Sequence, residues 1–168
     1  MAYYTKEAYE RKREHAYNVS GDSIRRLSSA TGISEDKLSV IAEASHLRHE
    51  IHSENRWHFV SGSDRWSIDR VGTKYSFEQT LAEEIDGLCL LDESFPTINE
   101  PDVCDDDSPE DIMDYFGLPV PGEDEDENRD AALDALVRGW DDAINSWSAA
   151  VRGWFGNLNN RYGTNFPC

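Results

Sequence analysis

Arg48, His49, His52 and Ser53 are the residues of this chain whose types and spacing suit chemistry. Cutting RNA without a metal needs a base for the 2′-hydroxyl proton, an acid for the leaving oxygen and a cation for the crowded phosphate. Two histidines and an arginine fill these roles, because an imidazole with a pKa of roughly 6.5 keeps both protonation states available near neutrality. A guanidinium forks onto phosphate oxygens, and a nearby hydroxyl such as that of Ser53 orients a histidine or the phosphate. On a helix, Arg48 and His52 stand one turn apart on one face, and His49 lies about 60° beyond His52, so the four residues surround one patch. The same spacing also suits hydrogen-bonded structural groups at a helix margin. Zinc fits less well: His46, His49 and His52 are spaced by three, but the first and last point about 240° apart and cannot converge on one ion. There is no Cys-x-x-Cys, His-Glu-x-x-His, phosphate-cradling glycine loop or nucleophile elbow, and Cys89 and Cys104 have no basic neighbour to activate a thiol. No metal and no cofactor are expected.

The patch needs a helix under it. Ser34-Glu35-Asp36 opens one with a capping side chain and negative residues where the helix dipole favours them, and the pattern predicts that it runs from about Glu35 to Ser53, with Val40, Ala44, Leu47 and Ile51 as its apolar side. Before it, Lys6, Glu7, Glu10, Arg11, Arg13 and Glu14 pair opposite charges at helical spacing over 5–18. Ser20-Gly21-Asp22 then offers a cap for a short helix ending at Gly32. After the patch, Trp57-His58-Phe59-Val60 and Trp66-Ser67-Ile68 flank Ser61-Gly62-Ser63-Asp64 and predict a hairpin. Phe77, Leu81 and Ile85 favour a helix within 75–91. Ser108-Pro109 starts another, which Gly117 to Gly122 ends. From Ala131 to Leu158 apolar residues including Trp140, Trp147 and Trp154 recur every three or four positions; this is a long amphipathic helix whose tryptophans read as core. The expected architecture is one α+β domain over 1–168, mainly helical, with a long C-terminal helix and a small antiparallel hairpin or sheet. Its parts are a near-neutral, histidine-bearing 1–74, an acidic 75–128 and the long helix at 129–162.

Charge divides the chain in the same way. Residues 75–128 carry 19 Asp and Glu and no Lys or Arg, whereas residues 1–74 hold 12 basic and 11 acidic side chains and all five histidines. The net −18 therefore sits almost wholly in the second half. Halophilic adaptation would spread carboxylates over every face, so the asymmetry argues against it, while a disordered acidic connection stays open. A surface this negative is repelled by anionic lipid and free DNA, so its natural partner is basic. The candidate contact residues are Asp105, Asp106, Asp107, Glu123, Asp124, Glu125, Asp126 and Glu127. Three cysteines, a charged opening and the lack of a long apolar run suggest a reducing, cytoplasmic setting with no membrane span.

Segment order adds a further clue. Arg48-His49-Glu50-Ile51-His52-Ser53 near the end of an early helix is followed by Phe95-Pro96-Thr97-Ile98-Asn99-Glu100. An acidic run at 123–128 comes next, and then a long helix closing in Tyr162-Gly163-Thr164-Asn165-Phe166. This order resembles the type V-A anti-CRISPR family, as does the Tyr/Lys/Glu-rich opening. The likeness is patchwise and weakest over 56–94. It implies a small phage or mobile-element protein acting in the cytoplasm of a host bacterium. Such a protein docks on a type V-A Cas nuclease loaded with guide RNA, near where it reads the motif flanking its DNA target, and cuts that RNA. Such effectors hold nucleic acid in basic channels, which an anionic surface can occupy. The expected function is therefore an anti-CRISPR endoribonuclease with guide RNA as substrate. Two other readings stay open: a non-catalytic DNA mimic, and a generic acidic protein-interaction module.

Overall fold

Apolar residues spaced every three or four positions over nearly thirty residues need a long rod to carry them. The structure, a computed structural model describing residues 6–46, 80–104 and 106–168, provides one. The helices are α1 (Lys6–Thr31), α2 (described over 35–46), α3 (described over 80–86), α4 (Pro109–Tyr115) and α5 (Glu125–Tyr162). Asp124 caps α5 by accepting from the Asp126 and Glu127 N–H groups at 2.9 and 3.3 Å, which satisfies donors that the first helical turn leaves open. Gly163 ends it in the left-handed region at φ 65, where a side chain would strain the backbone, and its N–H returns to the Asn159 carbonyl at 2.8 Å. One face of α5, from Leu133 through Trp140, Ile144, Trp147, Val151, Trp154 and Phe155 to Leu158, is buried as the tryptophan spacing predicts.

The polar tips of that face fasten the chain that follows α3. The Trp147 indole donates to the Pro96 carbonyl (3.0 Å), Trp154 to Glu93 (3.3 Å) and the Tyr162 hydroxyl to Leu90 (2.8 Å). As the donors advance along α5 the acceptors step back along the strap, so the two run antiparallel. Phe95 seals the strap by packing edge-on against Trp154, with ring centroids 5.0 Å apart. At the far end Asn159 organises the tail: its amide donates to the Phe166 carbonyl (2.9 Å) while its oxygen accepts from Phe166 N–H (3.0 Å) and the Thr164 hydroxyl (2.8 Å). The Asn165 N–H reaches the Ser23 hydroxyl of α1 at 2.9 Å, which ties the tail to the first helix.

Two expectations are corrected. Among the described residues there is no strand, so the fold is helical rather than α+β; the runs at Trp57–Val60 and Trp66–Ile68 that suggested a hairpin lie outside them. The physical reason is that the apolar faces cover one another helix on helix. Ile24 and Leu27 of α1, Leu38 and Ile41 of α2, and Leu81 and Ile85 of α3 join the α5 face in one core that needs no sheet layer. The break expected at Ser20-Gly21-Asp22 is also absent, because α1 continues to Thr31. Ser20, Gly21 and Ser23 are buried there, and the small side chains let α1 lie close while Ile24 and Leu27 carry its face onward. Tertiary packing overrides the local cap signal. No helix among the described residues is long and apolar enough to cross a membrane.

Candidate functional site: an acidic face and the helix leading to the histidines

Ser108 begins α4 with a reciprocal capping box: its hydroxyl accepts from Asp111 N–H at 3.1 Å, and the Asp111 carboxylate accepts from Ser108 N–H at 3.3 Å. The helix is short and would be marginal alone, so its docking decides whether it forms. Ile112 and Met113 are buried against Ala132 and Ala135 of α5. Phe116 then lies over Gly139, where a Cβ would come within 2.5 Å of the ring. That close approach explains a glycine in a helix interior, where it costs roughly 1 kcal/mol relative to alanine.

Asn128 ties the start of α4 to the loop before α5. It is buried, its amide donates to the Gly122 carbonyl (2.9 Å) and the Glu110 carboxylate (3.2 Å), and its oxygen accepts from Gly122 N–H (3.3 Å). The loop leaving α4, the start of α4 and the start of α5 meet on this one neutral side chain. The loop that leads into the 123–127 acids is consequently tied to the first turn of α4 rather than left as a free connection.

The candidate contact residues divide into two kinds. Asp107 accepts from Cys104 N–H at 2.7 Å and Asp124 caps α5, so these two hold backbone. The side chains of Asp106, Glu123, Glu125, Asp126 and Glu127 are exposed and make no hydrogen bond or ion pair among the described residues. Asp105 lies outside the described residues. The charge reasoning passed over Asp130, Asp134 and Asp142, which extend the face along α5 at four-residue steps from Asp126 with Arg138 interrupting the column. Their spacing was readable in the sequence, but the surrounding basic residues hid it.

Arg48, His49, His52 and Ser53 lie outside the described residues. The helix that leads to them is described as far as His46, whose ring stands 6.5 Å from that of His15 on α1. One turn earlier on α2, Glu43 is only 1% exposed, and its two carboxylate oxygens have no hydrogen-bond partner among the described residues. Burial pushes its pKa from 4.5 up to about 8; nearby Glu84 adds to this, while Arg13 and Lys12 oppose it. Burial thus favours the protonated, neutral form of Glu43 far more than a solvated glutamate would. The helical wheel places it about 60° from Val40, at a margin of the apolar side, and that margin was the only sequence signal. Residues 38–45 are all buried, so α2 is enclosed on every side rather than amphipathic. Among the described residues no group of three potential metal ligands is present. No family model, curated protein or solved structure matches this chain.

Proposed function

We propose that the acidic face on α4 and the first half of α5 docks the protein in the cationic nucleic-acid channel of a guide-loaded type V-A Cas effector. There the 48–53 segment truncates the guide RNA in the cytoplasm of a host bacterium. The observation that supports docking most directly is the Asn128 junction, which ties the first turn of α4 to the loop carrying the 123–127 acids instead of leaving those acids on a tail. A rigid anionic surface steers association with a basic partner, and the steering fades as salt shortens the Debye length. Arg48 would clamp the phosphate, His49 and His52 would exchange protons with the 2′-hydroxyl and the leaving oxygen, and Ser53 would orient them.

The test mixes substoichiometric protein with guide-loaded effector and resolves the RNA on a denaturing gel. Truncation beyond one equivalent, lost in both His49→Ala and His52→Ala, is the expected result; intact RNA together with lost DNA binding rejects the nuclease. Reversing Glu123, Glu125, Asp126 and Glu127 to Lys should slow capture of the effector and flatten its salt dependence, and unchanged capture rejects the docking face. One observation favours a non-catalytic DNA mimic as the second reading: Asp126, Asp130 and Asp134 repeat at about 6 Å steps along α5, a column of negative charge in place of a phosphate strand.

A further inference from the structure

We propose that the groove between α4 and the middle of α5 is an anchor pocket for an aromatic side chain carried on a basic segment of the docking partner. The inference rests on the reading of the acidic face as a docking surface and adds what the centre of that surface recognises. Carboxylates alone would select any cation, and the groove is built for something else. It is an open groove of about 520 Å³, with Tyr115, Phe116 and Leu118 on one side, Arg138, Gly139 and Asp142 of α5 on the other, and Glu100 also in its lining. That is within the roughly 300–1,000 Å³ of small-ligand sites.

Three features select the occupant. Tyr115 is 51% exposed and Leu118 40% exposed, so apolar surface opens to solvent within a face otherwise made of charge. Tyr115 and Phe116 already pack edge to face, at 4.9 Å between centroids and 85°, which leaves ring faces and edges for a further aromatic. Arg138 lines the same groove, and no carboxylate pairs with it among the described residues, although Asp142 stands one turn away. The exposed guanidinium offers its planar face for stacking on a π system. Basic side chains of the partner go onto Glu100 and Asp142, which also line the groove, while a π-rich side chain stacks on Arg138 and packs against Tyr115 and Leu118. A buried aromatic anchor ringed by polar contacts is the usual arrangement of an interface hot spot.

Two synthetic peptides serve as probes, one with a single Phe flanked on each side by Lys and Arg, the other with Ala in its place. Binding to the full chain is followed by calorimetry and by amide chemical-shift mapping. The Phe peptide should bind about fivefold tighter than the Ala peptide, as one desolvated cation–π contact implies. The additional shifts should fall on Tyr115, Leu118 and Gly139. Arg138→Gln and Leu118→Ser should each erase the difference while leaving the Ala peptide bound at least as well as before. Equal affinities for the two peptides in the parent chain, or a Phe advantage that survives both substitutions, overturn the pocket and leave the acidic docking face standing. Failure of the Ala peptide to bind at low salt overturns both.

Discussion

Replacing Glu43 tests whether a carboxyl group sits neutral in the core. The side chain is nearly fully buried with no hydrogen-bond partner among the described residues, and its folded-state pKa is about 8 against 4.5 in the unfolded chain. Below pH 4.5 both states hold the proton and the group costs nothing through ionisation. As pH rises, the unfolded chain releases its proton and the folded chain retains it, so stability falls by about 1.4 kcal/mol per pH unit. The loss continues until the folded carboxyl ionises near pH 8, where it totals up to about 5 kcal/mol. That is a large part of the roughly 5–15 kcal/mol that holds a domain folded. Urea unfolding of the parent chain and Glu43→Met at half-unit steps from pH 5 to 8.5, read by the fluorescence of the buried tryptophans, isolates this group, because every other side chain is common to both proteins. The stability difference in favour of Met should widen by at least about 2 kcal/mol between pH 5 and 8 and then level off. A difference constant to within about 0.5 kcal/mol across that range would refute the argument. It would mean that solvent or a cation reaches the carboxylate and keeps it charged at neutrality.

Three further outcomes follow from the packing. Gly139→Ala should destabilise the α4 corner by about 1–3 kcal/mol despite the better helix former, whereas Gly153→Ala, which meets no atom within 4 Å, should stabilise by about 0.5–1 kcal/mol; thermal unfolding of the pair checks both signs. Asn128→Ala should cost about 1–3 kcal/mol and open the 117–123 loop to limited proteolysis, and unchanged cleavage there would refute the hold of Asn128 on that loop. Trp147→Phe keeps the ring buried but leaves the Pro96 carbonyl without its donor, so urea unfolding should show a loss of about 1 kcal/mol.

Long-range regularity was legible in the sequence, and departures enforced by neighbours were not. The α5 face could be read because Trp140, Trp147 and Trp154 keep one helical phase over many turns, and α4 because Ser108, Pro109 and Asp111 are local signals that no other element has to confirm. Ser20-Gly21-Asp22 misled for the same reason in reverse: small polar residues mark a cap when exposed and close packing when buried, and only the presence of Ile24 and Leu27 in the shared core decides between them. Enclosure of α2 on all sides was invisible because its second face is covered by residues distant in sequence. Glu43 went unnoticed with it, since a carboxylate at the margin of an apolar arc is ordinarily solvated. On the acidic segments the acids were obvious, but their division into backbone holders and free side chains was not. That division depends on where Asp107 and Asp124 fall relative to particular N–H groups.

The same division bears on how a chain of net charge −18 tolerates its own charge. Clustered carboxylates repel, and a flexible acidic segment relieves the repulsion by extending. Here extension is blocked, because Asn128 ties Glu110 in the first turn of α4 to Gly122 just ahead of α5. The starts of two helices therefore converge beneath the densest acids, and Glu125, Asp126 and Glu127 lie in the first turn of the longer one. A helix N-terminus carries roughly half a positive charge and stabilises each nearby anion by about 0.3–1 kcal/mol, so the fold offsets repulsion locally. The offset acts over one turn only. Farther from the surface, where a partner is first encountered, the uncompensated net charge governs. Rigid clustering and long-range steering are thus compatible in this architecture, because the term that keeps the face folded decays faster with distance than the term that draws a basic partner toward it.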